Sequence, residues 1–148
     1  TLRTRRQSFF GCISLKILGL RSDSVYDTGM QSGDGAALRD SRLPPETAEK
    51  LVRRIVDAVH PERIILFGSA ARGEMKPSSD VDLLVIKAGD YHHIEMAQRI
   101  YSALGRRDFA VDITVATPEE VEKYRDEYCL ILSVALREGR VLYDAQAA

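Results

Sequence analysis

Residues 79–86, Ser-Asp-Val-Asp-Leu-Leu-Val-Ile, set two carboxylates two positions apart inside an otherwise apolar, β-favouring run. Val81 to Ile86 reads as a buried strand. Side chains alternate between the faces of a strand, so Asp80 and Asp82 point the same way, about 7 Å apart along the chain. Leu84 and Ile86 continue that face. Uncompensated carboxylates beside an apolar core are costly, and no Lys or Arg lies within the run to neutralise them. A bound Mg²⁺ is an economical answer, because this hard cation takes one or two protein carboxylates and completes its shell with phosphate oxygens and water.

The surrounding pattern supplies the rest of an α/β layout. Pro44-Pro45-Glu46 opens a helix with a fixed φ and an acid in the first turn. Ala48, Leu51, Val52, Ile55 and Val59 then mark one buried helical face, and Pro61 ends it. Ile64 to Phe67 is a short strand cut by Gly68. Ala97, Ile100, Tyr101 and Leu104 mark a second amphipathic helix that stops at Gly105. Val111, Ile113 and Val115 alternate with Asp112 and Thr114 as a third strand. Thr117-Pro118-Glu119-Glu120 is a capping box with Pro at the first helical position. A last helix is expected from about Tyr128 to Glu138, before Gly139, with a short closing strand at 141–143. The expected fold class is α/β (α+β), a small mixed sheet with flanking helices.

Asp112, on a separate strand with Val111 and Ile113 on the opposite face, offers a third carboxylate. Three carboxylates can hold two metals about 4 Å apart, the clamp used for in-line phosphoryl transfer. Gly68 at a strand end lets backbone approach a ligand with no Cβ in the way. The N–H groups of Ser69 and Ala70, opening a short helix, can bind phosphate with the Ser69 hydroxyl assisting. A Gly-Ser pair alone carries no weight, and Asp-x-Asp alone is weak. Joined in strand context with Asp112, they make a strong signal. The plainer alternative, a solvated strand end with Ser79-Asp80 in a turn, leaves Asp112 and Gly68-Ser69 as coincidences.

Gly68-Ser69, ten residues, then Asp80-Val81-Asp82 resembles the motif of the minimal nucleotidyltransferase family, within the DNA polymerase beta-like nucleotidyltransferase superfamily. The flanking Pro61 to Phe67, Ala71-Arg72-Gly73 and Leu83-Leu84-Val85 agree, and Asp112 takes the place of the family's third carboxylate. The resemblance spans roughly residues 44–148. It implies a polymerase-palm-like mixed sheet, Mg²⁺ (two ions) held by Asp80, Asp82 and Asp112, triphosphate binding at Gly68 and Ser69, and ATP as AMP donor. It further implies an antitoxin role beside a HEPN-domain ribonuclease toxin, with a tyrosine of that partner as acceptor. Two alternatives stay open: a small-molecule, aminoglycoside-type nucleotidyltransferase, and a non-catalytic antitoxin acting by binding alone. Enzymes of the first kind usually carry an added helical domain, for which residues 44–148 leave no room.

Charge excludes other classes. With 21 basic and 22 acidic side chains the net charge is −1, which disfavours a nucleic-acid coat or a templated polymerase. No apolar run approaches the roughly 20 residues of a membrane span. Cys12 and Cys129 have no metal-ligand spacing, and a reducing cytoplasm is the expected setting. Tyr101 and Tyr124 are expected in packing or facing a partner, and Arg72 in a loop-holding ion pair with an acid such as Glu74. His60 is expected at a helix end, and the neighbours His92 and His93 should point apart on a helix. Residues 1–43 carry seven basic and four acidic side chains, scattered Gly and Ser, and no sustained period beyond Phe9 to Leu20. They are expected to be a disordered or spurious leader, with Met30 a plausible true start. A chain beginning near Arg42 is expected to unfold thermally with the cooperativity of the full chain; loss of the transition would show that the leader docks on the domain.

Overall fold

The structure, a computed structural model, describes residues 42–126 and 131–147. Helix α1 (Pro45–Val59) starts behind Pro44 and buries Ala48, Leu51, Ile55 and Val59, the stripe expected from an i, i+3, i+4 rhythm. His60 closes it in the left-handed conformation, φ 46°, its N–H bonded to the Val56 carbonyl, and Pro61 prevents continuation. There follow β1 (Arg63–Phe67), α2 (Gly68–Arg72), β2 (Val81–Ile86), α3 (His93–Leu104), β3 (Val111–Ala116), α4 (Pro118–Tyr124), α5 (Ile131–Glu138) and β4 (Arg140–Asp144). Both halves of the expected capping box are formed at α4, with the Thr117 side chain taking the Glu120 N–H and the Glu120 side chain taking the Thr117 N–H.

The four strands form a mixed sheet in the order β3-β2-β1-β4. Strand β1 runs antiparallel to β2 and β4, while β2 and β3 are parallel and joined through α3. Alternation sorts the side chains onto two covered faces. Ile64, Leu66, Leu83, Val85, Ile113 and Val115 meet Leu51 and Ile55 of α1 and Ala97, Ile100 and Leu104 of α3. Ile65, Phe67, Leu84, Ile86 and Ala116 meet Leu132 and Ala135 of α5. Arg54 ties the two helices of the first layer by donating to the Leu104 carbonyl at the end of α3. The packed core begins at Leu43, which is 4% exposed.

Strand β4 is longer than the 141–143 expected, and its outer end is fastened by a side-chain pair. Arg63 donates from Nε and Nη2 to Asp144 Oδ2 at 3.0 and 2.7 Å, and the Ala145 N–H reaches the Glu62 carbonyl at 2.8 Å. The first part of the expected last helix, Tyr128 to Leu130 with Cys129, lies outside the described residues, as do residues 1–41. Among the described residues no helix is long and apolar enough to cross a membrane.

Gly139, between α5 and β4, stands close against both α5 and Ile65 of the sheet. A Cβ there would stand 2.0 Å from the Ala135 carbonyl oxygen and 2.4 Å from Ile65 Cγ2. Backbone cannot yield as a flexible side chain does, so α5 must lift. Gly139→Ala is expected to cost about 1–3 kcal/mol, the usual range for overpacking. At about 4–8 °C per kcal/mol for a domain this size, differential scanning calorimetry should show the drop; an unchanged midpoint would mean that α5 does not sit this close.

Candidate active site

The parallel register of β2 and β3 places Asp82 directly opposite Asp112. Val81 and Leu83 flank one, Val111 and Ile113 the other, and all four face the α1–α3 layer. By alternation both aspartates point to the α5 side, about 4.8 Å apart across the ladder. They stand at the starts of their strands, ahead of Leu84 and Ile86 on the same face, and both are half-buried. Asp80 lies one residue before β2, where the Val81 N–H joins the Ala110 carbonyl at 2.9 Å and brings the two strand entrances together. The sheet thus brings Asp112, distant in sequence, to the same end as the neighbouring Asp80 and Asp82.

Gly68 completes this end. Phe67, the last residue of β1, pairs with Asp82, and the chain then turns into α2 at Gly68 with φ 69°. A Cβ on Gly68 would lie 2.3 Å from Asp82 Oδ2 and 3.2 Å from its Cγ. Only glycine fits, on two grounds: the left-handed φ and the close approach of its backbone to the carboxylate. Ser69 follows, half-buried, its carbonyl accepting the Gly73 and Glu74 N–H groups that close α2.

These donors suit a divalent cation with hard-oxygen preference. Among the described residues no three His, Cys, Asp or Glu side chains close into a metal cage by themselves. Mg²⁺ does not require one, because phosphate oxygens and water complete its octahedron. Asp82 and Asp112 stand on neighbouring strands with the Cβ-free backbone of Gly68 beside Asp82.

The structure assigns other duties to the remaining polar residues. Arg72 donates from Nε to Glu74 at 2.9 Å and from Nη1 to Glu138 at 3.4 Å, linking α2 to the end of α5; the hydrogen bond to Glu74 leads in raising its pKa. The ion-pair expectation for Arg72 is met. Ser79 accepts the Lys76 N–H on its Oγ in a turn. His92 occupies the N-cap position of α3 without a side-chain capping bond, while His93 pairs with Glu120 at 2.8 Å. Tyr101 is nearer the site than its helical position suggests: its hydroxyl accepts the N–H of Ile113, the residue after Asp112, at 2.9 Å. Burial pushes its pKa up, and the charges of Asp112 and then Asp80 add to that rise. Helical periodicity marks the ring as packing but carries no signal for where the hydroxyl ends.

The sequence pattern of the polymerase beta nucleotidyltransferase family matches residues 49–148. The chain belongs to this family. It is therefore a nucleotidyltransferase, with Asp80 just before β2, Asp82 within it, Asp112 and the Gly68 turn assembled at one end of the sheet. A Methanocaldococcus jannaschii protein, provisionally named a protein adenylyltransferase, is 30% identical over 102 residues, covering 64% of this chain and 97% of that protein. A Sulfolobus solfataricus crystal structure, provisionally named a nucleotidyltransferase, shares the fold with a TM-score of 0.52 at 21% identity, over 80% of this chain and 95% of the other. A toxin–antitoxin crystallised with AMP-PNP aligns with a TM-score of 0.47 at 25% identity, over 68% of this chain and 75% of that one.

The Gly68 turn gives this nucleotidyltransferase a site-specific weak point. In Gly68→Ala the left-handed φ costs about 1–2 kcal/mol, and the new methyl group must displace the Asp82 carboxylate. A misplacement near 1 Å can cost about a hundredfold in rate. Gly68→Ala is expected to fold, melt several degrees lower, and lose triphosphate turnover by about that factor; turnover within about threefold of wild type would place the reacting phosphate elsewhere.

Proposed function

We propose that this nucleotidyltransferase is Mg²⁺-dependent and moves AMP from ATP to a hydroxyl, that of a tyrosine on a HEPN-type ribonuclease toxin, serving as the antitoxin of the pair in a reducing cytoplasm. The observation that carries the chemistry is the Asp82–Asp112 pairing beside the bare Gly68 backbone. The choice of AMP and of a protein acceptor rests on the name of the Methanocaldococcus jannaschii relative and on the minimal nucleotidyltransferase resemblance of residues 61–85 and 111–115. The net charge of −1 argues against a nucleic-acid template.

In the reaction the acceptor oxygen attacks the α-phosphorus of ATP. The bond from that phosphorus to the bridging oxygen of the β-phosphate breaks, and pyrophosphate leaves with the electron pair. The hydroxyl's proton passes to Asp112 or to water. Asp80 and Asp82 would hold Mg²⁺, which would offset the charge on the phosphate oxygens. Gly68 and Ser69 receive the phosphates at the opening of α2. Asp112 would hold the catalytic ion and orient the attacking hydroxyl, contacts that strengthen towards the transition state.

Two substitutions separate these roles. Asp80→Asn combined with Asp82→Asn is expected to abolish turnover, and to raise thermal stability without metal because two crowded like charges are gone. Full activity in that double variant would end the metal assignment. Asp112→Asn is expected to keep MgATP affinity within about tenfold, roughly 1.4 kcal/mol, while transfer falls by at least about a hundredfold. Calorimetry with ATP and the intact mass of the partner read the two quantities. If toxin neutralisation in cells survives Asp112→Asn undiminished, binding rather than catalysis silences the partner.

A further inference from the structure

Strand β3 is an edge strand, and edge strands leave every second N–H without a ladder partner. The Val81 and Lys87 N–H groups bond the carbonyls of Ala110 and Ala116, so the even-numbered peptide groups of β3 face β2. The Ile113 N–H consequently faces outward, and it is the donor that the Tyr101 hydroxyl accepts at 2.9 Å. That N–H belongs to the peptide unit joining Asp112 to Ile113. Holding it fixes the rotation of the backbone immediately after the Asp112 Cα, and with it the direction in which the carboxylate leaves the strand.

Tyr101 is itself held. It projects from α3 beside Ile100, which is fully buried, and the Arg107 guanidinium stands over its ring, 5.6 Å from the centroid. Arg107 is anchored in turn by Nη1 donating to the Gly105 carbonyl at 2.9 Å, while its buried Nε has no hydrogen-bond partner among the described residues. An arginine kept partly buried at such a cost is spent on the face of one ring. The loop after α3, the ring, and the outward N–H of β3 form one chain of contacts that ends at Asp112.

The geometry points to Tyr101 as a positioning residue for nucleotidyl transfer, its hydroxyl fixing the Asp112–Ile113 peptide and thereby the aim of the Asp112 carboxylate, with Arg107 holding the ring. This rests on the reading of Asp112 as the group that serves the attacking hydroxyl. A purely structural tyrosine would support stability alone; a positioning tyrosine supports the rate beyond its effect on stability.

Tyr101→Phe keeps the ring and removes the acceptor. Measured as pyrophosphate release from MgATP with the cognate partner, its kcat is expected to fall at least about tenfold, with KM for MgATP within about threefold. Amide exchange at Ile113 should quicken relative to Val115 in the absence of nucleotide. Arg107→Met, which keeps an apolar stem against the ring, is expected to lower kcat in the same direction by less, and it decides the matter should Tyr101→Phe fail to fold. Asp144→Asn, on the far edge of the sheet, serves as a variant that loses stability without touching the site. The proposal is overturned if Tyr101→Phe turns over within about threefold of wild type, if KM rises as much as kcat falls, or if Asp144→Asn matches its kcat loss at equal thermal loss. Asp112→Asn run alongside keeps the two readings apart. If that variant retains transfer, the reading of Asp112 fails and takes this one with it; if it loses transfer while Tyr101→Phe does not, only the positioning role is refuted.

Discussion

The parallel pairing of β2 with β3 is the constraint on which the site depends. It sets Asp82 against Asp112 and, by alternation, turns both towards the same face. A slip of one residue would send Asp112 into the α1–α3 layer and bring Val111 or Ile113 to the site. The register resists such a slip because Val81, Leu83, Val111 and Ile113 are all buried in the first core and have no other face to occupy. Packing that contains no catalytic atom therefore aims the carboxylates. The cost is two like charges opposite each other on adjacent strands, an arrangement that is destabilising. Stability given up at a working site in this way is a familiar exchange.

The second dependence runs through the end of β1. Because Phe67 pairs with Asp82, whatever follows Phe67 must pass the carboxylate at close range, and only glycine leaves room. The short helix that begins there is too brief to be stable alone. It is held by burial of Ala70 and by Arg72 reaching Glu138 at the end of α5. The α5 layer is in turn pressed onto the sheet at Gly139, against Ile65 of β1. The Gly68 end of the site thus depends on the second layer, and the Asp112 end on the first, through Tyr101.

Much of this was legible in the residues, for identifiable reasons. The stripe of α1, the alternation of β3 and the capping box of α4 are local signals, and local physics decides them. Asp80, Asp82 and Asp112 were legible as candidates because carboxylates in apolar strands are expensive wherever the strands lie. Strand order was not legible, since nothing local tells β2 to pair parallel with β3 and antiparallel with β1. Hence the direct opposition of Asp82 and Asp112 appears only in the folded sheet. Tyr101 shows the same limit: a helical period records which way its ring packs but not that its hydroxyl reaches an N–H twelve residues along the chain. The Arg63–Asp144 pair that lengthens β4 spans 81 residues and left no pattern to read.

The central claim is that Asp82 and Asp112 share a divalent cation with a nucleoside triphosphate at the open end of the β2–β3 ladder. Crystals of the protein grown with Mn²⁺ and a non-hydrolysable ATP analogue test it most directly, because Mn²⁺ scatters anomalously and takes the same hard-oxygen ligands as Mg²⁺. The account predicts anomalous peaks within coordination distance of Asp82 and Asp112, with the triphosphate bridging from them to the Gly68 turn. Bound nucleotide with no metal at these aspartates, or metal and nucleotide together elsewhere on the protein, would contradict it.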